Sequence, residues 1–474
     1  MSKLNKYKTL LSNTLLISMG TFGSKILVFL MVRFYTGYLT PSDYSTADLI
    51  TQTANLLFPI ISIGITEGVF RFTMDTQTDR KSVFSMGLFS IAVGSSLFFI
   101  AAPLLGIIKE FDGFIWLIVV YTIASCLHSL CSQYIRAIGK TGLFAVQGII
   151  NTMLVILLNI LFLAVLRIGV LGYVLSVVLA DGLSTAFLTV KEKLWRQITL
   201  KPDKTVLKPM LKYSIPLIPT TVFWWITSVS SRYMVNGIIG SDANGIYTVS
   251  YKLPTVLTLV STMFMQAWQF SAVTESEGNE QEHIDFYTKV WGSFQAVMFL
   301  VGSGIIAFSK VAINILTADE YYVAWKYVPF LSIAMVYTAL TSFSGTVYVV
   351  KKKSVISFLT ALLGAGSNIL FNFLLILSPL GVQGAAISTA LSYFLVFIVR
   401  GINVHKYIPY KQYWWHTSVN AVIIFSQARL MIFEVKYWII YQIIAIALLL
   451  AVNFKFLMSF LEKLVTPIKE RFRK

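Results

Sequence analysis

Four cations sit inside long apolar runs, and the polar residues around them have the spacing of a helix face. Lys25 follows Thr14, Ser18 and Thr21 at steps of four, three and four, and Arg33 closes the same run. Arg232 follows Thr221, Trp225 and Ser228 at the same steps, with Lys252 in the next run. Such steps keep side chains on one side of a helix. At 1.5 Å per residue, Lys25 lies roughly 18 Å and Lys252 roughly 14 Å from the outer end of its helix, inside an apolar slab about 30 Å thick. A Lys at that depth costs about 2.5–3.5 kcal/mol on insertion scales, so each is expected to face water, a partner or an anionic group. Arg33 and Arg232 lie nearer the outer ends, where snorkelling to the interface competes with such a role. The chemistry these cations offer is charge-assisted hydrogen bonding to an anion.

The acidic counterparts are Asp48 and Asp181. Asp181 falls midway along an apolar run, where it is placed to couple to a proton or a sodium ion, or to pair with a cation such as Lys25. Asp48 shares its helix with Gln52 and Asn55, and Lys252 shares its own with Tyr251, Thr255, Thr258, Thr262, Gln266 and Gln269. For any single Ser or Thr, helix packing or a bond to the preceding turn is the plainer role. Gly87, Ser90 and Gly94 read as that packing case. Glu67 and Arg71, four apart, read as a local ion pair. No catalytic constellation is present: GxSxG, HExxH and clustered Cys/His ligands are all missing. Gly139-Lys140-Thr141 resembles the end of a phosphate loop, but Tyr134 stands where the leading glycine belongs. Cys126 and Cys131, five apart, point to different helix faces. We expect no catalytic residue, no metal and no cofactor, with an ion gradient as the possible energy source.

The elements that must position these groups follow from composition. The 474 residues are 56% hydrophobic and 12% charged, against about 25% charged in soluble domains. The apolar runs predict an all-α polytopic membrane protein with fourteen spans, near 10–36, 43–70, 82–106, 113–135, 142–166, 169–190, 211–237, 243–271, 287–309, 323–350, 354–377, 381–402, 413–432 and 437–460. The thirteenth is interrupted by Ser426-Gln427-Ala428-Arg429. The net charge of +17 is read as orientation charge rather than as a sign of nucleic acid, because cytoplasmic loops collect Lys and Arg. With the N-terminus inside, the basic 191–212 loop, Lys351 to Lys353 and the tail all fall inside, so both termini are expected in the cytoplasm. Residues 273–286, rich in Glu, dissent and are read as a solvated loop. No loop exceeds roughly 20 residues, which leaves no room for an aqueous ATPase or external catalytic domain.

Two motifs recur. Arg33-Phe34 with Ser42-Asp43 matches Arg232-Tyr233 with Ser241-Asp242, and GVLGYVLS at 169–176 matches GVQGAAIS at 381–388. The offsets are 199 and 212 residues and define a duplication of six helices: an N-lobe at 1–200, a C-lobe at 201–408, and accessory helices with a basic tail at 409–474. An even number of helices gives both copies the same orientation, with a substrate path between the lobes and alternating access by rocking. The last helix is nearly uniformly apolar, as a lipid-facing appendage should be.

The stretch TFGSKILVFLMVRFYTGYLTPSDYSTADLI (21–50), with GITEGVFRF (64–72), SRYMVNGIIGSDANGIYTVSYKLP (231–254), AWQFSA (267–272), DEYYVAWKYVPFL (319–331) and SPLGVQGAAISTALSY (378–393), resembles the bacterial polysaccharide transporters. These are the Wzx-type flippases of the multidrug/oligosaccharidyl-lipid/polysaccharide exporter superfamily. The resemblance implies a fold like that of the multidrug and toxin extrusion transporters with two extra C-terminal helices, in the cytoplasmic membrane. It also implies an undecaprenyl-pyrophosphate-linked oligosaccharide as cargo, moved for capsule, exopolysaccharide or O-antigen export. The polymerase and glycosyltransferases of that pathway are the implied partners. A cationic cavity then falls on Lys25, Arg33, Arg232 and Lys252, with Trp225 and Tyr251 placed to stack on sugars. The alternatives are a lipid II flippase of the same superfamily, a cation-coupled multidrug antiporter, and a membrane glycan polymerase or ligase.

Overall fold

The computed structural model describes residues 27, 29–75, 78–199, 201–274, 280–351 and 353–472, without the side chains of 266, 267, 269–274, 280 and 460–472. Among the described residues all regular structure is helical, and the protein is a multi-pass membrane protein. Among the described residues, nine helices are long and apolar enough to cross a bilayer, and one bent pair makes a tenth. The chain divides into two compact units, Met1–Trp225 and Ile226–Lys474.

Unit 1 contains α1 (Val32–Tyr38), α2 (Pro41–Ile61), α3 (Ile65–Thr73), α4 (Arg80–Ala101), α5 (Ile115–Ala137), α6 (Thr141–Asn159), α7 (Gly169–Glu192) and α8 (Leu207–Ser214). α9 (Ile218–Ile238) carries the chain across the division. Unit 2 continues with α10 (Ser241–Ser250), α11 (Thr255–Thr274), α12 (Glu280–Leu316), α13 (Val328–Val350), α14 (Ser354–Ile376), α15 (Val382–Val404), α16 (Trp414–Ile432) and α17 (Trp438–Phe472). Each expected span after the first corresponds to one of these helices or to a broken pair. The first lies mostly outside the described residues, and α1 is its end.

The recurring motifs turn out to be helix starts. Asp43 and Asp242 occupy the first turns of α2 and α10, where a carboxylate meets the positive end of the helix dipole. Thr40 caps α2 by accepting from the Asp43 amide at 3.2 Å. Gly169 and Gly381 both have left-handed φ, +55° and +50°, at the starts of α7 and α15. Three residues on, a Cβ on Gly172 would meet the Phe162 Cβ at 2.8 Å, and one on Gly384 would collide with the Leu375 carbonyl. Ser176 and Ser388 then each bond the carbonyl four residues back, both at 2.7 Å. One sequence pattern thus builds one joint twice.

The second span of each repeat is broken, at different points. α2 carries Pro59 and ends where Ile63 and Gly64 both adopt positive φ, so α3 leaves at 55°. In unit 2 the break comes after only ten residues, at the turn Tyr251 to Pro254. The small face of α4 packs as expected: a Cβ on Gly94 would run into the Ile61 carbonyl, and one on Gly87 would lie 2.6 Å from Val69.

Some sequence expectations need revision. The Ser426 to Arg429 interruption is no interruption, because α16 runs through it and Gln427, 1% exposed, turns inward to bond Ser303 of α12. The acidic stretch is not all loop. Glu282 and Asp285 lie near the start of the 37-residue α12, where acidic side chains suit the helix dipole. Glu67 and Arg71 are both exposed, and no ion pair joins them among the described contacts. α17 is largely exposed, as an outer helix should be, yet Asn453 turns inward to pair with Asn420 of α16 at 2.8 and 3.1 Å. Lys310 clamps the turn that joins this helical pair, ion-paired with Glu434 and lying 4.2 Å and 4.3 Å from the ring centres of Trp325 and Trp438. The lysine holds the Glu434 carboxyl below its usual range.

The basic 191–212 segment is strapped to the start of α4. Ser85 Oγ accepts from the Thr199 amide at 2.9 Å, Ser82 Oγ accepts from the Asp203 amide at 3.0 Å, and Tyr134 donates to Gln197 at 3.2 Å. Asp79 caps α4, and its bond from the Ser82 hydroxyl, 2.7 Å, is the main cause of a lowered pKa.

Candidate functional site

Each unit encloses a polar core of its own. In unit 1 it spans α5, α6 and α7. Asp181, 7% exposed, accepts from Ser125 Oγ at 2.6 Å and Asn151 Nδ2 at 3.0 Å, and His128 Nδ1 lies 3.2 Å away. The other ring nitrogen of His128 is 2.8 Å from Gln147 Oε1, and Gln147 Nε2 donates onward to Ser132 at 3.0 Å. Asn151 also reaches Ser184 at 3.2 Å. The sequence places Asp181 to couple to a proton or a sodium ion or to pair with a cation such as Lys25; among the described residues its ionisable partner is His128. The signal was available: Ser125, His128 and Ser132 recur at steps of three and four, as do Gln147 with Asn151 and Asp181 with Ser184.

Asp48, also 7% exposed, receives Gln52 Nε2 at 3.3 Å. Asn55 and Arg33 are exposed, and Trp225 is half-buried. Lys25 lies outside the described residues.

The polar core of unit 2 is built from Ser, Thr, Asn and Tyr side chains, with Arg232 at its edge. Ser230 and Asn372 both donate to Asn368 Oδ1 at 2.7 Å, Asn372 also reaches Ser231 at 2.9 Å, and Ser231 meets Thr389 at 3.1 Å. Tyr251 OH lies 3.4 Å from Thr389 and 3.2 Å from Tyr247 OH. The Arg232 guanidinium stacks over the Tyr251 ring at 4.6 Å. Lys252 is half-buried at the helix break, and Thr255 spends its hydroxyl on the Lys252 carbonyl at 2.6 Å. Of the expected stripe, Thr258 and Thr262 line a 240 Å³ groove with Ser261, Thr338 and Ser342. The side chains of Gln266 and Gln269 lie outside the description. The structure therefore brings Arg232 onto the Tyr251 ring, with Lys252 the next residue along the same helix break.

A further buried cation went unnoticed in the sequence. Arg400 of α15 is 3% exposed, bonds Thr360 Oγ1 through two nitrogens at 2.9 and 2.8 Å, and reaches the Thr341 and Ser357 carbonyls at 3.1 and 3.5 Å. It lies four residues from the helix end, where a charge reads as an interfacial anchor.

The helices and their polar cores define a membrane transporter fold. The lipid II flippase MurJ in its inward closed conformation matches with a TM-score of 0.70 at 13% identity, over 95% of this chain and 100% of that one. An inward-facing multidrug resistance MATE family transporter of the MOP superfamily matches at 0.64 and 13% identity, over 81% of this chain and 95% of that one. A MATE in the straight conformation matches at 0.61 and 14%, over 85% and 96%. At these identities the likeness is one of fold. No curated protein matches in sequence. Residues 30–326 match the polysaccharide biosynthesis protein family, and the chain belongs to that family. The resemblance seen in the sequence is thereby borne out.

Proposed function

We propose that this protein is a flippase that moves undecaprenyl-pyrophosphate-linked oligosaccharide repeat units across the cytoplasmic membrane by alternating access, for capsule, exopolysaccharide or O-antigen export. The observation that carries the reading is the joining of a polysaccharide biosynthesis family match to a flippase fold. Chemistry at the broken second span of unit 2 supports it. Arg232 and Lys252 supply cations for a pyrophosphate, and the Tyr251 ring beside Arg232 suits a sugar face. Discontinuous helices of this kind mark binding positions in transporters. Lys25, Arg33 and Trp225 join the proposal as further head-group contacts, and Asp48 and Asp181 as the carboxylates of ion coupling. Both termini lie in the cytoplasm on this reading, near the glycosyltransferases and polymerase of the pathway.

The test uses purified protein in vesicles with a labelled lipid-linked oligosaccharide. Arg232→Ala with Lys252→Ala is expected to lower the translocation rate by about tenfold or more, the loss of one or two charge-assisted contacts. An unchanged rate removes these cations from the mechanism. A lipid II cargo is the second reading, favoured by the full coverage of MurJ. Rescue of cells depleted of lipid II transport would favour it.

A further inference from the structure

The polar core of unit 1 contains an ionisable pair whose hydrogen bonds fix where its protons are. With the Gln147 amide oriented so that Nε2 donates to Ser132, Gln147 Oε1 faces the His128 ring and Nε2 of that ring donates to it. Asp181 meets donors at both oxygens, Ser125 at Oδ2 and Asn151 at Oδ1, which suits the carboxylate form. The 3.2 Å contact between Nδ1 and Oδ1 is then attractive only when Nδ1 also carries a proton. In this arrangement His128 is an imidazolium and Asp181 its carboxylate. Removing one proton puts a lone pair of Nδ1 against a carboxylate oxygen, and relief requires the ring, the Gln147 amide or α7 to turn.

The pair also sits at the right depth. By rise per residue, His128 is roughly 20 Å and 14 Å from the two ends of α5, and Asp181 roughly 18 Å and 17 Å from those of α7. Ionisable groups that deep are expensive and mark ion or proton paths. The helices packed around α5 carry other titratable groups: Asp43, Tyr44 and Asp48 on α2, Glu67 and Arg71 on α3, Arg80 and Lys81 at the start of α4, and Tyr173, Lys191 and Glu192 on α7. α5 itself adds Tyr121, Cys126, Cys131, Tyr134 and Arg136. α6 has none. Of the ionisable groups, His128 is the one in direct contact with Asp181 among the described residues.

We propose that the His128–Asp181 pair is a proton-binding site whose occupancy decides whether α5 and α7 stay pinned within unit 1. The transport part of this inference rests on the flippase reading above, and the proton part does not. A proton enters from water on one side, completes the imidazolium, and leaves to water on the other side when the pair separates.

The direct test is histidine nitrogen NMR on the full chain in lipid nanodiscs. The protein has four histidines, and the His128 signal is the one lost in His128→Asn. It is expected to be doubly protonated at neutral pH and to titrate at a lower pH in Asp181→Asn. A His128 signal that is a neutral tautomer at neutral and mildly acid pH, or that is unmoved by Asp181→Asn, overturns the proposal. Because the wild type carries the readout, the test survives a variant that fails to fold. In vesicles, an imposed pH gradient is expected to raise translocation severalfold in wild type and to leave His128→Asn unresponsive. An equal response in both overturns the coupling. If wild type moves no oligosaccharide, the cargo reading fails, and the NMR result still decides the proton site.

Discussion

The same three helices of the repeat are tied together by opposite means in the two units. At the 212-residue offset that relates Gly169 to Gly381, Asp181 corresponds to Tyr393 and Leu188 to Arg400. In unit 1, α5, α6 and α7 meet through His128, Gln147, Asn151 and Asp181, a set that can gain or lose a proton. In unit 2, α13, α14 and α15 meet through Arg400, whose partners are a hydroxyl and two carbonyls. A guanidinium stays charged at any ordinary pH, so this tie is permanent. The same joint recurs in both units, and on the proposal above unit 1 holds a switchable bond and unit 2 a fixed brace.

That contrast is most easily broken at Arg400. Arg400→Leu leaves the buried Thr360 hydroxyl and Thr341 carbonyl without their donor, and a loss of about 3 kcal/mol or more is expected from bonds to a charged group. A clear fall in thermal stability checks it, and an unchanged melting temperature would make Arg400 an ornament. Gly384→Ala comes next, at about 1–3 kcal/mol of overpacking, because the new methyl meets a backbone carbonyl that cannot swing aside. Gly172→Ala, against the Phe162 Cβ, should cost less, and equal losses would undo the ordering. Tyr393→Phe sharpens the contrast in function: it should leave the response to a pH gradient intact, whereas Asp181→Asn should abolish it.

The smallest expected effect lies outside the repeat joint. Asp79→Ala removes the cap of α4 and should cost about 1 kcal/mol. The Ser82 hydroxyl lowers the Asp79 pKa below its ordinary 3.8. Its stabilisation is therefore present above that pH and fades as acid protonates the folded carboxylate. Melting curves of wild type and variant should converge in acid.

Most of the fold was legible because apolar runs and helix-start glycines act locally. GVLG and GVQG sit where a left-handed φ and a close helix approach are needed three residues apart, and both needs are visible in one short string. The site was legible in part. Asp181 drew notice because a carboxylate amid apolar residues is costly, but its partner comes from another helix, and no local rule pairs it with His128. Arg400 was overlooked because a charge near a helix end has a ready explanation, while its burial depends on Ser357 and Thr360 of α14. The Gln427 segment misled for the opposite reason: its polarity is satisfied by Ser303, more than a hundred residues earlier.

The central claim is a cargo, and one vesicle measurement addresses it. Purified protein is reconstituted with a labelled undecaprenyl-pyrophosphate oligosaccharide in one set of vesicles and labelled lipid II in another, and head-group exposure is followed with time. The account predicts protein-dependent translocation of the oligosaccharide at a rate well above that of lipid II, lost in Arg232→Ala with Lys252→Ala. Faster translocation of lipid II, or no protein-dependent translocation of the oligosaccharide, would contradict it.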